Sequence, residues 1–102
     1  HDETRTLRHG DRMSELRDNT ARRRHEIDID GETVFADYRR AEGKLIINWV
    51  EAPPRLLGTG AASRLMTLVA EQARREGVKL VPACGYAAGW LRASKQYRDL
   101  VA

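Results

Sequence analysis

The stretch RLLGTGAAS, residues 55–63, combines residue types and a spacing that suit the binding of an anion. Backbone N–H groups at the start of a helix have no intrahelical partner and lie at the positive end of the helix dipole. Gly58 and Gly60 have no Cβ atom that would keep a phosphate away from these groups. Ala61, Ala62 and Ser63 keep the first turn slim, Arg55 can add a charge, and Ser63 or Thr59 can add a hydroxyl. The sequence therefore predicts either a pyrophosphate site or a tight strand-to-helix turn.

Two common phosphate-binding patterns are absent from this loop. The dinucleotide-binding fingerprint requires a third glycine at a fixed spacing, and the P-loop requires Gly-Lys followed by Ser or Thr. The charge pattern is consistent with an anionic ligand, because residues 55–102 carry eight basic and three acidic side chains. Basic residues that only solvate helix faces are the alternative explanation of that excess.

The region before the loop has the pattern of three β-strands joined by short turns. HEIDID alternates isoleucine with acidic residues and ends in a hairpin signal, DG at residues 30–31. ETVFADYRR is rich in β-forming residues and is followed by a second turn, AEG at 41–43. LIINWV, residues 45–50, is almost continuously apolar, which predicts a strand covered on both faces with Trp49 as a packing residue. Two prolines at 53–54 end this strand.

After the loop, apolar residues recur at helical spacing from Thr59 to Glu76, and Gly77 predicts the end of this helix. Residues 78–81 predict a short strand, and residues 85–93 and 95–101 a helical end. The predicted fold is α/β (α+β), in the order β-β-β-α-β-α, with an antiparallel meander followed by a right-handed βαβ crossover. Residues 1–22 are expected to form a polar, partly disordered tail, and residues 23–102 a single domain.

Composition narrows the class of protein further. With 41% hydrophobic and 32% charged residues the chain is of the globular class. No apolar run reaches the length of a bilayer span, so we expect no membrane partner. Cys84 is the one cysteine, so disulfides and four-cysteine metal sites are excluded, and we expect no metal. The N-terminal residues lack the pattern of a secretory signal, and we expect a cytoplasmic location.

Residues 17–101 resemble a small, single-domain family of GNAT-like N-acetyltransferases. RLLGTG matches the Arg/Gln-x-x-Gly-x-Gly/Ala loop that holds the pyrophosphate of acetyl-CoA in the GNAT superfamily, and FADYR, EAPP, ARREGVKLVPAC and YRDL match in the same order. The resemblance implies a compact GNAT-type fold and an acetyl-CoA-dependent N-acetyltransferase with an unknown amine acceptor. The residues that it implies for acetyl-CoA binding are Val50, Glu51, Ala52, Arg55, Leu57, Gly58, Thr59, Gly60, Ala61, Ala62 and Ser63.

Glu51, Cys84 and Tyr97 are the catalytic candidates, with Tyr86 as an alternative to Tyr97, and the resemblance itself implies a role only for Cys84. Glu51 is the carboxylate beside the expected thioester path and is the candidate base; a surface carboxylate is the alternative. Cys84 matches a cysteine regarded as an active-site residue, which would take the acetyl group or protonate the departing thiol; a structural cysteine is the alternative. Tyr97 is a candidate acid, as is Tyr86, although an aromatic residue at position 97 would also suit anchoring of the last helix to the core.

Two departures from the family pattern leave other functions open. Trp49 stands where members have a histidine, and SKQY at 94–97 replaces a His-Pro-Glu-Tyr run. These losses favour, as the alternative, a CoA-binding domain without catalysis. A third hypothesis is a nucleic-acid-associated domain that uses the arginine run at 22–24. That run lacks interleaved aromatic residues and a reading motif, so nucleic acid is not an expected partner.

Overall fold

Five strands form one sheet in the computed structural model, which describes residues 15–102. The strands lie across the sheet in chain order, antiparallel from the first to the fourth and parallel between the fourth and fifth. Their bounds are Arg17–Asn19 (β1), Arg24–Ile29 (β2), Glu32–Ala41 (β3), Lys44–Glu51 (β4) and Lys79–Pro82 (β5). The predicted α/β (α+β) fold, a meander followed by a parallel β-α-β unit, is confirmed.

Helical segments of the described chain pack against this sheet and share its hydrophobic core. They are the first 3-10 turn (Pro54–Leu56), α1 (Ala61–Glu76), α2 (Gly85–Ala93) and the second 3-10 segment (Lys95–Leu100). Helix α1 joins β4 to β5 and ends at Gly77, whose φ of 73° is the left-handed conformation expected of a helix stop. It begins two residues later than predicted, because Gly58 and Gly60 both adopt positive φ.

Strand β1 lies within the segment that the sequence predicts as a polar tail. Its residues, RDN, include no apolar side chain and therefore give no strand signal. Polar contacts hold the strand instead: Arg17 Nη2 donates to Glu26 Oε1 (2.9 Å), and Asn19 Nδ2 donates to Glu26 Oε2 (3.0 Å). Residues 17–19 thus belong to the sheet, whereas the predicted tail at residues 1–14 lies outside the described residues.

A bulge in β4 decides which side chains reach the core. Asp37 pairs with Trp49 but Tyr38 pairs with Ile47, so Asn48 is an extra residue in β4. An extra residue moves the side chains that follow it to the opposite face of the sheet. Trp49 is therefore 54% exposed, and the prediction that it is a packing residue is wrong. Val50 is turned toward the core, against which it packs.

The hydrophobic core lies between the sheet and α1. Leu65 and Val69 of α1 are completely buried, as are Ile27, Val34 and Ile47 of the sheet. These residues occupy the apolar stripe of the helix and the inward positions of the strands. The helical repeat of α1 and the alternation of the strands thus direct apolar side chains to one interface. Packing along this interface fixes the first turn of α1 beside the end of β4.

Candidate functional site

Two glycines in the left-handed conformation lead the chain into α1. Gly58 has φ 77° and Gly60 has φ 88°, values that glycine adopts without the steric cost other residues have. A Cβ atom built on either glycine would have no heavy atom within 4 Å, so the space above the loop is open. The loop is therefore a tight turn whose backbone is accessible, and the pyrophosphate site stays a prediction.

The first turn of α1 presents backbone donors that no side chain caps. Gly60 is the N-cap residue, and the first turn contains no acidic side chain. The first helical hydrogen bond runs from Arg64 N to Gly60 O at 2.9 Å, which leaves the amides of residues 61–63 without an intrahelical acceptor. These amides and the helix dipole together favour an anion at this position.

A groove of about 380 Å³ lies between the glycine loop, the end of β4 and the start of α2. This volume falls within the range of small-molecule sites. Most of the residues predicted to bind acetyl-CoA line it: Val50, Ala52, Leu57, Gly58, Gly60, Ala61, Ala62 and Ser63. Leu56 and Tyr86 complete the lining. The structure thus brings these residues together, and their role in binding stays a prediction.

Three of the predicted ligand contacts lie outside this groove. Arg55 forms an ion pair with Glu32 and donates to the backbone oxygen of Asp30 (3.3 Å), so it ties the loop to the β2–β3 hairpin. The Thr59 hydroxyl donates to Leu56 O at 2.6 Å, within its own turn. Glu51 is exposed and accepts a hydrogen bond from Trp49 Nε1 (2.9 Å) on the other face of the sheet.

Strands β4 and β5 separate where the groove begins. Their pairing ends at Ile47 and Pro82, with one further bond from Ala83 N to Ile47 O at 2.8 Å. Beyond that point β4 continues to Glu51 beside β3 only, while the chain after β5 turns into α2. The side of β4 that faces β5 is therefore open from Asn48 to Glu51.

Tyr86 lies on the other wall of this opening, two residues after Cys84 at the start of α2. Cys84 is the N-cap residue of α2, and its Sγ accepts a hydrogen bond from Ala87 N (3.4 Å). The expectation that a helix starts directly after Cys84 is confirmed. Tyr86 lines the groove and is 43% exposed. Partial burial raises the pKa of the Tyr86 hydroxyl, which therefore stays protonated at neutral pH.

Tyr97 has a different environment from Tyr86. Its hydroxyl donates to Glu71 Oε2 at 2.6 Å, and its ring stacks on Trp90 with centroids 5.6 Å apart. Burial and the bond to Glu71 raise the pKa of Tyr97 to about 12. Trp90 in turn donates from Nε1 to Ser63 Oγ (2.9 Å) in the groove. Tyr97 supports the groove through Trp90 and does not line it.

His25 has no role assigned from the sequence, and the structure shows it to be a buried residue of the sheet. It lies on β2 with 1% exposure, and neither ring nitrogen has a hydrogen-bond partner among the described residues. Burial lowers its pKa, although the charge of Asp18, whose Oδ2 is 3.9 Å from His25 Nε2, acts in the opposite direction. The signal was present in HEIDID, where His25 shares the apolar face with Ile27 and Ile29.

Comparison with known families agrees with this architecture. The family model described as GCN5-related N-acetyl-transferase matches residues 24–100. The chain therefore belongs to that N-acetyltransferase family. A comparison with curated proteins found no match.

The described residues offer neither a metal site nor a membrane-spanning helix. Within residues 15–102, no three side chains of His, Cys, Asp or Glu are grouped so that they could hold a metal ion. No helix in that part of the chain is long and apolar enough to cross a membrane.

Proposed function

We propose that the protein transfers the acetyl group of acetyl-CoA to an amine, and that the groove beside the glycine loop binds the cofactor. The observation that carries this proposal is the set of uncapped amides at the start of α1, facing a groove that reaches the opening between β4 and β5. Family membership supports the same reaction class.

The pyrophosphate is assigned to the first turn of α1. The amides of residues 61–63 supply donors, Gly58 and Gly60 leave the approach open, and Ser63 Oγ keeps its own proton available because it accepts from Trp90. The amide donors favour the negative charge of a diphosphate, and the two glycines leave room for it. Arg55 is bound to Glu32 and would have to exchange partners to contribute a charge.

The end of β4 is assigned to the amides of the pantetheine arm. The backbone oxygen of Ile47 points toward β5, since it accepts from Ala83 N. Backbone groups of alternate residues point to the same side of a strand, and the bulge at Asn48 shifts this alternation by one. The N–H and C=O groups of Val50 thus face the opening, where β5 no longer pairs with them, and Ala52 continues along the same side.

Glu51 and Tyr86 are assigned to the movement of protons. The acceptor begins as an ammonium and loses one proton to Glu51 before its nitrogen forms a bond to the acetyl carbon. The carbon–sulfur bond breaks, and the second proton leaves the nitrogen and neutralises the sulfur of CoA, so that one proton is released overall. Tyr86 is the protonated hydroxyl that lines the groove and can relay this proton. Bound acetyl-CoA supplies the activated acyl group.

A charge placed in the first turn of α1 tests the binding assignment. We expect acetyl-CoA and CoA to raise the melting temperature of the wild-type protein, because both would bind the folded state. In Ala62→Glu, α1 should gain about 0.3–1 kcal/mol from the favourable dipole interaction. Binding of CoA should nevertheless weaken at least tenfold, because the carboxylate repels the diphosphate.

Ala62→Gln is the matched control, since it adds the same volume without the charge. Equal CoA affinity in Ala62→Glu and Ala62→Gln would show that the loop is only a turn. If CoA binds but acetyl-CoA releases no thiol with any amine supplied, the domain binds CoA without catalysis, which is the alternative function that the missing histidines favour.

A further inference from the structure

The outer face of the sheet, opposite α1, carries an exposed indole at the opening between β4 and β5. Trp49 is 54% exposed, an unusual position for the largest side chain. Its Nε1 donates to Glu51 Oε1 at 2.9 Å, which holds the ring in place and leaves its surface free of polar partners. Trp49 is thus an ordered aromatic surface that the core does not use.

Two carboxylates flank this ring. Asp37 lies directly opposite Trp49 across the β3–β4 pair, and Glu51 is opposite Phe35 in the next row. Residues on such a diagonal are about 7–8 Å apart, and their Cβ atoms are somewhat closer. We call Phe35, Asp37, Trp49 and Glu51 the acceptor patch. Its two acids are separated by the distance of one cross-strand diagonal, with the indole beside them.

The carboxylates of the acceptor patch differ from the neighbouring acids of the same face in their ion pairing. Glu26, in the same row as Phe35 and Glu51, and Asp28, one row further on, are paired with Arg17 at 2.9 Å and 2.7 Å. Within residues 15–102 no basic side chain lies within ion-pair distance of Asp37 or Glu51. Arg24, the cross-strand neighbour of Asp37, is bonded to Glu26 (2.7 Å) and covers the ring of Phe35 at 4.1 Å.

An aromatic ring beside two carboxylates favours a cationic ligand, and it favours a ligand with two positive charges over one with a single charge. An aromatic surface attracts an ammonium group, and unpaired carboxylates add a longer-range attraction. One carboxylate would suffice for a single amine. The patch provides two, at a separation that a short alkyl chain can span while lying over the indole.

We propose that the acceptor is an aliphatic diamine or a longer polyamine that binds to the acceptor patch; this inference rests on the function proposed above. Asp37 binds the ammonium that does not react, Trp49 contacts the alkyl chain, and Glu51 receives the proton from the amine that does. The reacting nitrogen then lies at the opening between β4 and β5, where the groove ends.

Fluorescence of Trp49 tests the binding without requiring turnover. Trp49 and Trp90 are the two tryptophans of the chain, so emission is recorded for the wild-type protein and for Trp49→Phe, and the difference between the two is the signal of Trp49. With CoA present, 1,4-diaminobutane should change the emission at a concentration at least tenfold below that required for 1-aminobutane. Equal concentrations for the two amines, or no change with either, would overturn the proposal. CoA stabilisation is measured on the same sample, so failure of the CoA site is recognised separately.

Neutral variants test the role of the second carboxylate. Asp37→Asn should weaken binding of 1,4-diaminobutane about tenfold, the loss expected for one charged hydrogen bond, and leave 1-aminobutane unchanged. Asp28→Asn is the matched control on the same face, and it should leave both affinities unchanged. An equal effect at Asp28 would reduce the proposal to general surface charge. Emission that depends on protein concentration without any amine would assign the patch to contact with a second copy and overturn it.

Discussion

Two tyrosines near the groove differ in what their hydroxyl groups contact. Tyr97 donates to Glu71 and stacks on Trp90, so it joins the second 3-10 segment to α1. Tyr86 lines the groove, and within residues 15–102 no side chain shifts its pKa through a hydrogen bond as Glu71 shifts that of Tyr97. At the scale of single residues, the sequence predicted the type of side chain needed for proton transfer and named both positions, but only the structure separates a supporting tyrosine from one that lines the groove.

Replacing each tyrosine by phenylalanine should separate stability from turnover. Tyr97→Phe should lower the free energy of unfolding by about 1.5 kcal/mol, because a hydrogen bond to a charged group is lost. Its turnover per folded molecule should stay near that of the wild type. Tyr86→Phe should unfold like the wild type and release thiol about 10²-fold more slowly. The reverse assignment of the two effects would make Tyr97 the acid, which is the other alternative that the sequence leaves open.

Cys84 caps α2, and this role predicts which substitutions it tolerates. Ser is a preferred N-cap residue and Ala is not, so Cys84→Ser should be more stable than Cys84→Ala by about 0.5–2 kcal/mol. Thiol release from acetyl-CoA should continue in both variants at similar rates per folded molecule. A loss of turnover in both, with α2 intact, would establish Cys84 as a participant in the chemistry.

At the scale of elements, two glycines provide a matched pair of substitutions. Gly60 has φ 88° at the start of α1, so Gly60→Ala should cost about 1–2 kcal/mol from the left-handed backbone. Gly89 lies within α2, where a Cβ atom would be 3.9 Å from Arg92 Nη2, an ordinary contact. Gly89→Ala should therefore stabilise the fold by about 0.5–1 kcal/mol. Urea unfolding of both variants measures the difference, and equal effects would show that Gly60 is not held in this conformation.

The elements that the sequence predicted well are those defined by local periodicity. The stripe of α1 and the alternation in HEIDID are visible in a single chain segment, so their existence and type were correct. The exposure of Trp49 was missed, because the extra residue Asn48 is a property of the pairing between β3 and β4 and leaves no local pattern. Strand β1 was missed because its hydrogen bonds to Glu26 stabilise it without apolar residues.

The candidate site likewise combines features that a local sequence pattern predicts with features that depend on the tertiary fold. The glycine loop and the small residues after it were named from the sequence and line one groove. Arg55 was named for its charge, but its partner Glu32 lies on a distant strand and could not be inferred. A charge near a loop predicts an anion contact only when no closer carboxylate competes for it, and that competition is decided by the tertiary fold.

At the scale of the whole molecule, titratable side chains meet at the end of α1 farthest from the groove. His25 and Tyr38 stack with ring centroids 4.8 Å apart, and the Tyr38 hydroxyl donates to Asp18 Oδ1 at 2.5 Å. Arg40 Nη1 donates to Glu76 Oε1 (3.1 Å), which ties β3 to the last turn of α1. With 16 residues in α1, this cluster lies about 24 Å along the helix from the glycine loop. The cluster of titratable side chains is thus remote from the groove.

His25 should make the folded state sensitive to mild acid. Burial lowers the folded-state pKa of His25 below its ordinary value of 6.5, so the unfolded chain takes up this proton first. Stability is therefore complete above pH 6.5 and falls as the pH drops toward the lowered value, with a slope of up to about 1.4 kcal/mol per pH unit for one proton. Glu26, Asp28, Glu76 and Asp99 have lowered pKa values, and their contributions are lost only at more acidic pH.

Urea unfolding at pH 7.5 and pH 5.5 isolates the histidine, because the carboxylates remain ionised in this interval. His25→Gln removes the titrating group while keeping a polar side chain of similar length, so its free energy of unfolding should be nearly equal at the two pH values. Asp28→Asn, on the exposed outer face, should keep the wild-type difference. If His25→Gln retained the full pH dependence, the proton would be taken up elsewhere, and His25 would not be the source of the acid sensitivity.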